Sequence, residues 1–173
     1  MIPAISHVLV PVHRRSMIKN FSVVLSLCPE AFERHGTHCY KAVGLLATWA
    51  EAKRLCNTLG ADLAVIESTG EEAIIEGILK RHHGAISPEN YWIDGTDLLA
   101  EGEWRWMREN GNSRPITSYS AWSPGQPDNA GSREHCLEIR YTFAVHWNDY
   151  QCEVKQNFIC QALAEPDGGT IIG

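Results

Sequence analysis

Basic residues are the scarcer charge in this chain: 15 Lys and Arg against 21 Asp and Glu give a formal net charge of −6 over 173 residues. Clustered cations drive binding to a phosphate backbone, so no nucleic-acid partner is expected. CxxC pairs are missing too, although the chain has six cysteines. That spacing builds zinc sites and redox dithiols, and without it the cysteines read as disulfides formed in an oxidising compartment. Their even number sets no thiol aside as a nucleophile, and no enzyme activity is expected. Long apolar runs are absent as well. Phe21–Leu27, behind Arg14, Arg15 and Lys19, is too short to cross a bilayer, and no membrane span is expected.

What is present suits one globular domain, with 44% hydrophobic residues to build a core. Residues 1–27 read as a leader or degenerate signal segment, 28–161 as the domain and 162–173 as a flexible tail. A secreted, extracellular protein is the expectation. Cys28, Cys39, Cys56, Cys136, Cys152 and Cys160 allow many pairings. Their spacing favours 28 with 39, 136 with 152, and 56 with 160, the last a long closure contributing roughly 4–5 kcal/mol.

Periodicity places the elements. Cys28–Phe32 and His38–Lys41 read as a stapled hairpin. Thr48 and Glu51 form a capping box ahead of Ala52, Leu55, Cys56 and Leu59, predicting a helix over 49–59 that stops at Gly60. Ala61–Ile66 alternates like a strand, and Ser68 or Thr69 caps a second helix ending near Lys80. Tyr91–Ile93, Trp104–Trp106, Cys136–Ile139 and Phe158–Cys160 read as short strands. Trp104, Trp106 and Trp147 read as core aromatics.

The densest chemistry lies between Trp122 and Asp149, where Gln126, Asp128, Glu134, Asn148 and Asp149 gather carboxylate and amide oxygens around Cys136 and Cys152. Calcium takes six to eight such oxygens at about 2.3–2.6 Å. Three carboxylates outweigh the charge of a divalent ion, and two amides add neutral oxygens while leaving NH2 groups free to donate.

The cysteine framework, the two helices, Tyr91-Trp92-Ile93, Gln126-Pro127-Asp128, Glu134 before Cys136, and Trp147-Asn148-Asp149 together resemble the C-type lectin domain family, in its long form with an extra N-terminal disulfide. The resemblance implies an α+β fold: two helices flank small antiparallel sheets with a long loop region. It also implies a non-enzymatic protein that binds sugar through calcium. Vicinal hydroxyls would bind an ion held by Gln126, Asp128, Glu134, Asn148 and Asp149. Gln-Pro-Asp is the family's galactose or N-acetylgalactosamine order, with mannose marked by Glu-Pro-Asn, and Gln126-Pro127 is expected to be cis. No aromatic follows Asp128 to stack on the sugar. Tyr141, Phe143 and His146 are the candidates for that wall.

The same resemblance places a weaker second calcium site on Asp97 and Glu101, with Asn129 and His135 standing where the family has acids. Fewer carboxylates weaken calcium, so solvated loop acids are the alternative there. Asp94, where the family's strand has glycine, is expected to alter a local turn only. Within the family, the words around Gln126 and Trp147 are most similar to perlucin-like proteins of mollusc shell. That adds calcium carbonate mineral and matrix glycoproteins to the expected partners, beside glycans, in a role in shell building or defence. Weak single-site affinity makes a homo-oligomer useful.

Overall fold

The computed structural model describes residues 28–108, 111–143 and 145–165, the side chain of Phe143 excepted. The expected leader, 1–27, and residues 166–173 of the expected tail lie outside the described residues.

Helix α1 (Trp49–Thr58) starts at the anticipated capping box: Thr48 Oγ1 accepts from the Glu51 N–H at 3.3 Å, and the Glu51 carboxylate accepts from the Thr48 N–H at 2.9 Å. Its inward face is Trp49, Ala52 and Cys56, whereas Leu59 caps the helix and is exposed. Helix α2 (Thr69–His82) is capped by Ser68 Oγ and buries Ile75, Ile78 and Leu79. Lys80, Arg81 and His82 sit in its last turn, where positive charge suits the helix dipole.

Nine strands are described: β1 (Glu33–His35), β2 (His38–Ala47), β3 (Asp62–Leu63), β4 (Asn90–Thr96), β5 (Arg105–Met107), β6 (Ser113–Pro115), β7 (Cys136–Arg140), β8 (His146–Tyr150) and β9 (Gln156–Leu163). They run β1-β2-β9-β4-β5-β6, with β3 on β9 and a β7–β8 hairpin on β4. Only the β4–β9 pairing is parallel among the described strands.

Three expectations shift. The first strand is Glu33–His35 and not Cys28–Phe32, which turns instead. Residues 61–66 are all buried, so the strand there shrinks to Asp62–Leu63 and the apparent alternation carries no face. At the other end β9 runs past 161 to Leu163, and the Ala164 N–H donates to the Thr37 carbonyl at 2.9 Å.

The disulfides join Cys28 to Cys39, Cys56 to Cys160 and Cys136 to Cys152, as the spacing favoured. Cys56–Cys160 ties α1 to β9, and Cys136–Cys152 ties the start of β7 to the residues just after β8. Trp92, Trp106, Trp147, Tyr40, Tyr91 and Phe158 are fully buried. Trp106 and Trp147 meet edge to face at 5.6 Å, a packing that adds to the burial of each ring.

Asp94 is no turn residue. It lies within β4, fully buried, and accepts from Lys53 Nζ at 2.9 Å. Lys53 also reaches Asp62 at 2.7 Å and the Met107 carbonyl, so one ammonium from α1 serves two acids on separate strands. Burial pushes the Asp94 carboxyl up to about 7 against the pull of Lys53. Gly95 follows because β4 and β7 crowd there: a Cβ would stand 2.7 Å from Leu137.

Candidate calcium and sugar site

Trp147 seats the long loop on β8. Its N–H donates to the Ala121 carbonyl and its carbonyl accepts from the Ser123 N–H, both at 2.9 Å, while Trp122 pairs with it as an isolated bridge. The ring is buried beneath, with Nε1 donating to Glu72 of α2 at 3.2 Å. Desolvation raises Glu72 to about 7. The next two residues of β8 are Asn148 and Asp149.

From this anchor the loop folds over the strand. Asp149 Oδ1 accepts from the Asp128 N–H at 3.2 Å and Oδ2 from the Asn129 N–H at 2.7 Å. Glu134 Oε2 accepts from the Ala130 N–H at 3.2 Å, and the Glu134 N–H returns to Asn129 Oδ1 at 3.0 Å. Asn129 takes a left-handed backbone with φ of 42°, a conformation that asparagine tolerates better than most residues. The Gln126-Pro127 bond is cis, as expected.

The outcome is a cluster of Asp128, Glu134 and Asp149 with one oxygen from each lying within 4.8 Å of the others. Asp149 and Glu134 are buried and Asp128 is exposed. Glu134 is raised by burial first, with Asp149 and Asp128 adding repulsion and the Ala130 N–H opposing. On the same loop Gln126 Oε1 is buried without a hydrogen-bond partner. Three clustered carboxylates and an orphaned carbonyl oxygen on the same loop are a donor set that fits a hard divalent cation.

Asn148 departs from expectation. Its NH2 is not free but donates to Glu138 Oε1 at 2.8 Å and to the Asp149 carbonyl, which leaves its own carbonyl oxygen to offer a cation. Glu138, fully buried on β7 and also paired with Arg140, was not anticipated as part of the site. Burial raises its carboxyl and Arg140 lowers it. The available signal was an acid in a strand whose neighbours Leu137 and Ile139 are apolar.

Of the aromatic-wall candidates with described side chains, Tyr141 is committed elsewhere. Tyr141 stacks on His83 at 4.4 Å, which commits its ring to the end of α2. His146 is exposed at the start of β8, and the Phe143 side chain lies outside the described residues. Asp97 and Glu101 do come together, with His135: Nδ1 is 3.0 Å from Asp97 Oδ1 and 3.4 Å from Glu101 Oε2. Asp97 is buried, not a solvated loop acid. Asn129 turns its NH2 to Glu101 at 2.6 Å, so at both positions where the family has acids this chain presents nitrogen. That set does not fit a second calcium ion.

Comparison with known proteins agrees with this architecture. Residues 46–162 match the family model described as "Lectin C-type domain". Perlucin of Haliotis laevigata is 41% identical over 135 residues, 78% of this chain and 82% of perlucin. The galactose-specific lectin nattectin of Thalassophryne nattereri is 34% identical over 137 residues, 78% of this chain and 80% of nattectin. Among solved structures, the carbohydrate-recognition domain of mouse scavenger receptor C-type lectin superposes with a TM-score of 0.67 at 32% identity, covering 80% of this chain and 99% of that domain.

Proposed function

We propose, from the premise that the chain belongs to the C-type lectin domain family, that it is a secreted calcium-dependent lectin for galactose-type sugars. Members of this family are generally calcium-dependent binding proteins without enzymatic activity, and the described residues hold no free cysteine. The observation that carries the reading is the convergence of Asp128, Glu134 and Asp149, with the unpartnered Oε1 of Gln126 on the loop that bears Asp128.

Calcium, when bound, would supply a Lewis-acidic centre that two neighbouring sugar hydroxyls can ligate. The chain's own residues do the rest. Asp149 holds the loop through two backbone N–H groups, so its carboxylate is fixed before any ligand arrives. Asp128 and Glu134 accept from sugar hydroxyls, and the Gln126 NH2 donates. Asn148 contributes its carbonyl, its NH2 being engaged by Glu138. Gln126 ahead of Asp128 supports galactose over mannose, and the likeness to a galactose-specific lectin points the same way.

The test is retention on galactose and mannose resins with calcium or with a chelator. Galactose retention abolished by the chelator is expected. Retention indifferent to the chelator would sink the cage reading.

A second reading rests on the 41% identity with perlucin and on the net charge of −6. In it the protein is a shell or extracellular matrix protein that promotes calcium carbonate deposition, with glycan binding, on matrix glycoproteins, secondary. Crystallisation of calcium carbonate with wild type and Asp149→Ala separates the two. Equal nucleation by both proteins would detach any mineral role from the cage.

A further inference from the structure

The cluster of Asp97, Glu101 and His135 is a designed-looking arrangement with the wrong donors for calcium. We infer that it is a site for a borderline transition-metal ion of the zinc class, held by His135 Nδ1 and one oxygen each from Asp97 and Glu101, with water completing the shell. Imidazole nitrogen suits zinc, copper and nickel, whereas calcium selects oxygen. Two carboxylates and one neutral imidazole carry −2, which balances a divalent ion without further protein charge.

The geometry is suited to it. All three donor atoms lie within 4.8 Å of one another. The 3.0 Å and 3.4 Å separations from His135 Nδ1 bracket the spacing of about 3.3 Å that donors about 2.0–2.1 Å from a tetrahedral zinc ion must have.

The scaffold holds two of the ligands before any ion arrives. Asp97 follows directly on β4, and its N–H donates to the His135 carbonyl at 3.2 Å; Thr96 Oγ1 donates to that same carbonyl at 2.5 Å. Asp97 Oδ2 accepts from the Gly102 N–H at 2.8 Å, which orients the carboxylate and leaves Oδ1 for His135. Hydrogen bonds of this kind to ligand side chains fix their orientation in metal sites. Exposure then rises in order: the side chain of Asp97 is 1% exposed, His135 28% and Glu101 59%. The open side is where an exchangeable ion can enter and where the water ligand would stand.

Nothing in this inference depends on the sugar-binding reading, and its test uses no sugar. Zinc is titrated calorimetrically into metal-free protein with its disulfides intact, comparing wild type with His135→Ala and His135→Asp, all in saturating calcium. Wild type should take up one zinc equivalent that both variants lack. Altering a hydrogen-bond partner of a metal ligand costs about 10–100-fold in affinity, so removing the ligand itself should cost at least about 100-fold. The chain has eight histidines. Identical zinc isotherms in wild type and His135→Ala would place the zinc on other histidines and overturn the assignment, as would displacement of the wild-type zinc by calcium. Circular dichroism checks that each variant folds, and His135→Gln replaces any that does not.

Discussion

The backbone N–H of Asn129 donates to Oδ2 of Asp149 at 2.7 Å, binding a loop to a strand residue 20 positions away. Asp149 is thereby the peg on which the loop of the proposed cage hangs. Asp149→Ala is expected to lose chelator-sensitive galactose retention and to weaken calcium binding by at least about 100-fold, or roughly 2.7 kcal/mol. Hydrogen bonds to a charged group are each worth about 1.5–3 kcal/mol, so the loop should also loosen. Calorimetry with calcium reads the first effect, and hydrogen exchange at Asp128 and Asn129 the second. Full calcium affinity in the variant would remove Asp149 from the cage.

Exchanging acid and amide at Gln126 and Asp128 tests sugar choice. Gln126→Glu with Asp128→Asn keeps the oxygen count and the charge but reverses donor and acceptor around the hydroxyl pair. Retention should move from galactose to mannose resin by about tenfold or more, equivalent to roughly 1.4 kcal/mol. An unchanged preference would mean that selectivity is set elsewhere on the surface.

Local signals were the legible part of this chain. Thr48 with Glu51 located α1, Ser68 located α2, and the words around Gln126 and Trp147 located the loop and strand that carry the acids. Failures came where burial overrode pattern or where a partner was distant in sequence. Residues 61–66 are buried throughout, so no alternation could mark a strand. Asp94 meets Lys53 across 41 positions, and nothing local announces that pair. The NH2 of Asn148 reads as free in the sequence because its partner Glu138 lies 10 positions away and comes beside it only when β7 and β8 pair.

The Lys53 cluster gives a stability prediction. Lys53→Met would remove the ammonium that faces both Asp94, fully buried, and Asp62. Breaking a buried pair from one side typically costs about 3–5 kcal/mol. Urea unfolding should show that loss, and adding Asp94→Asn should recover part of it by removing the stranded charge. A loss below about 1 kcal/mol would mean that water reaches the cluster.

Glu72 sets a pH dependence. Its ordinary value is 4.5 and burial raises it to about 7 in the fold, with Trp147 Nε1 as hydrogen-bond donor and Glu76 as the neighbouring like charge. The folded protein therefore holds this proton more tightly than the unfolded chain. The stability it contributes is present below the unfolded value and is lost as pH rises through the folded one. Glu72→Gln keeps an acceptor for Trp147 and removes the charge. The variant should match wild type near pH 4 and exceed it above about pH 7 by about 1–3 kcal/mol. Parallel thermal-unfolding curves across that range would show that Glu72 ionises freely in the fold.

Calcium and protons should compete for the cage. Without an ion, Glu134 is raised by burial and by its neighbours Asp149 and Asp128, so it takes up a proton at higher pH than an ordinary glutamate. Calcium needs the ionised form, so affinity should fall as pH drops, beginning above the usual carboxylate range. The same linkage fixes the thermal response. An ion that binds only the folded state at about 100 times its Kd adds about 2.7 kcal/mol, and a chelator removes it. The melting temperature of wild type should rise with calcium near neutral pH and rise far less near pH 5. Asp149→Asn should show little rise at either pH. A calcium-induced rise of equal size at both pH values would mean that the stabilising ion is not held by Glu134, and the three-carboxylate cage would have to be redrawn.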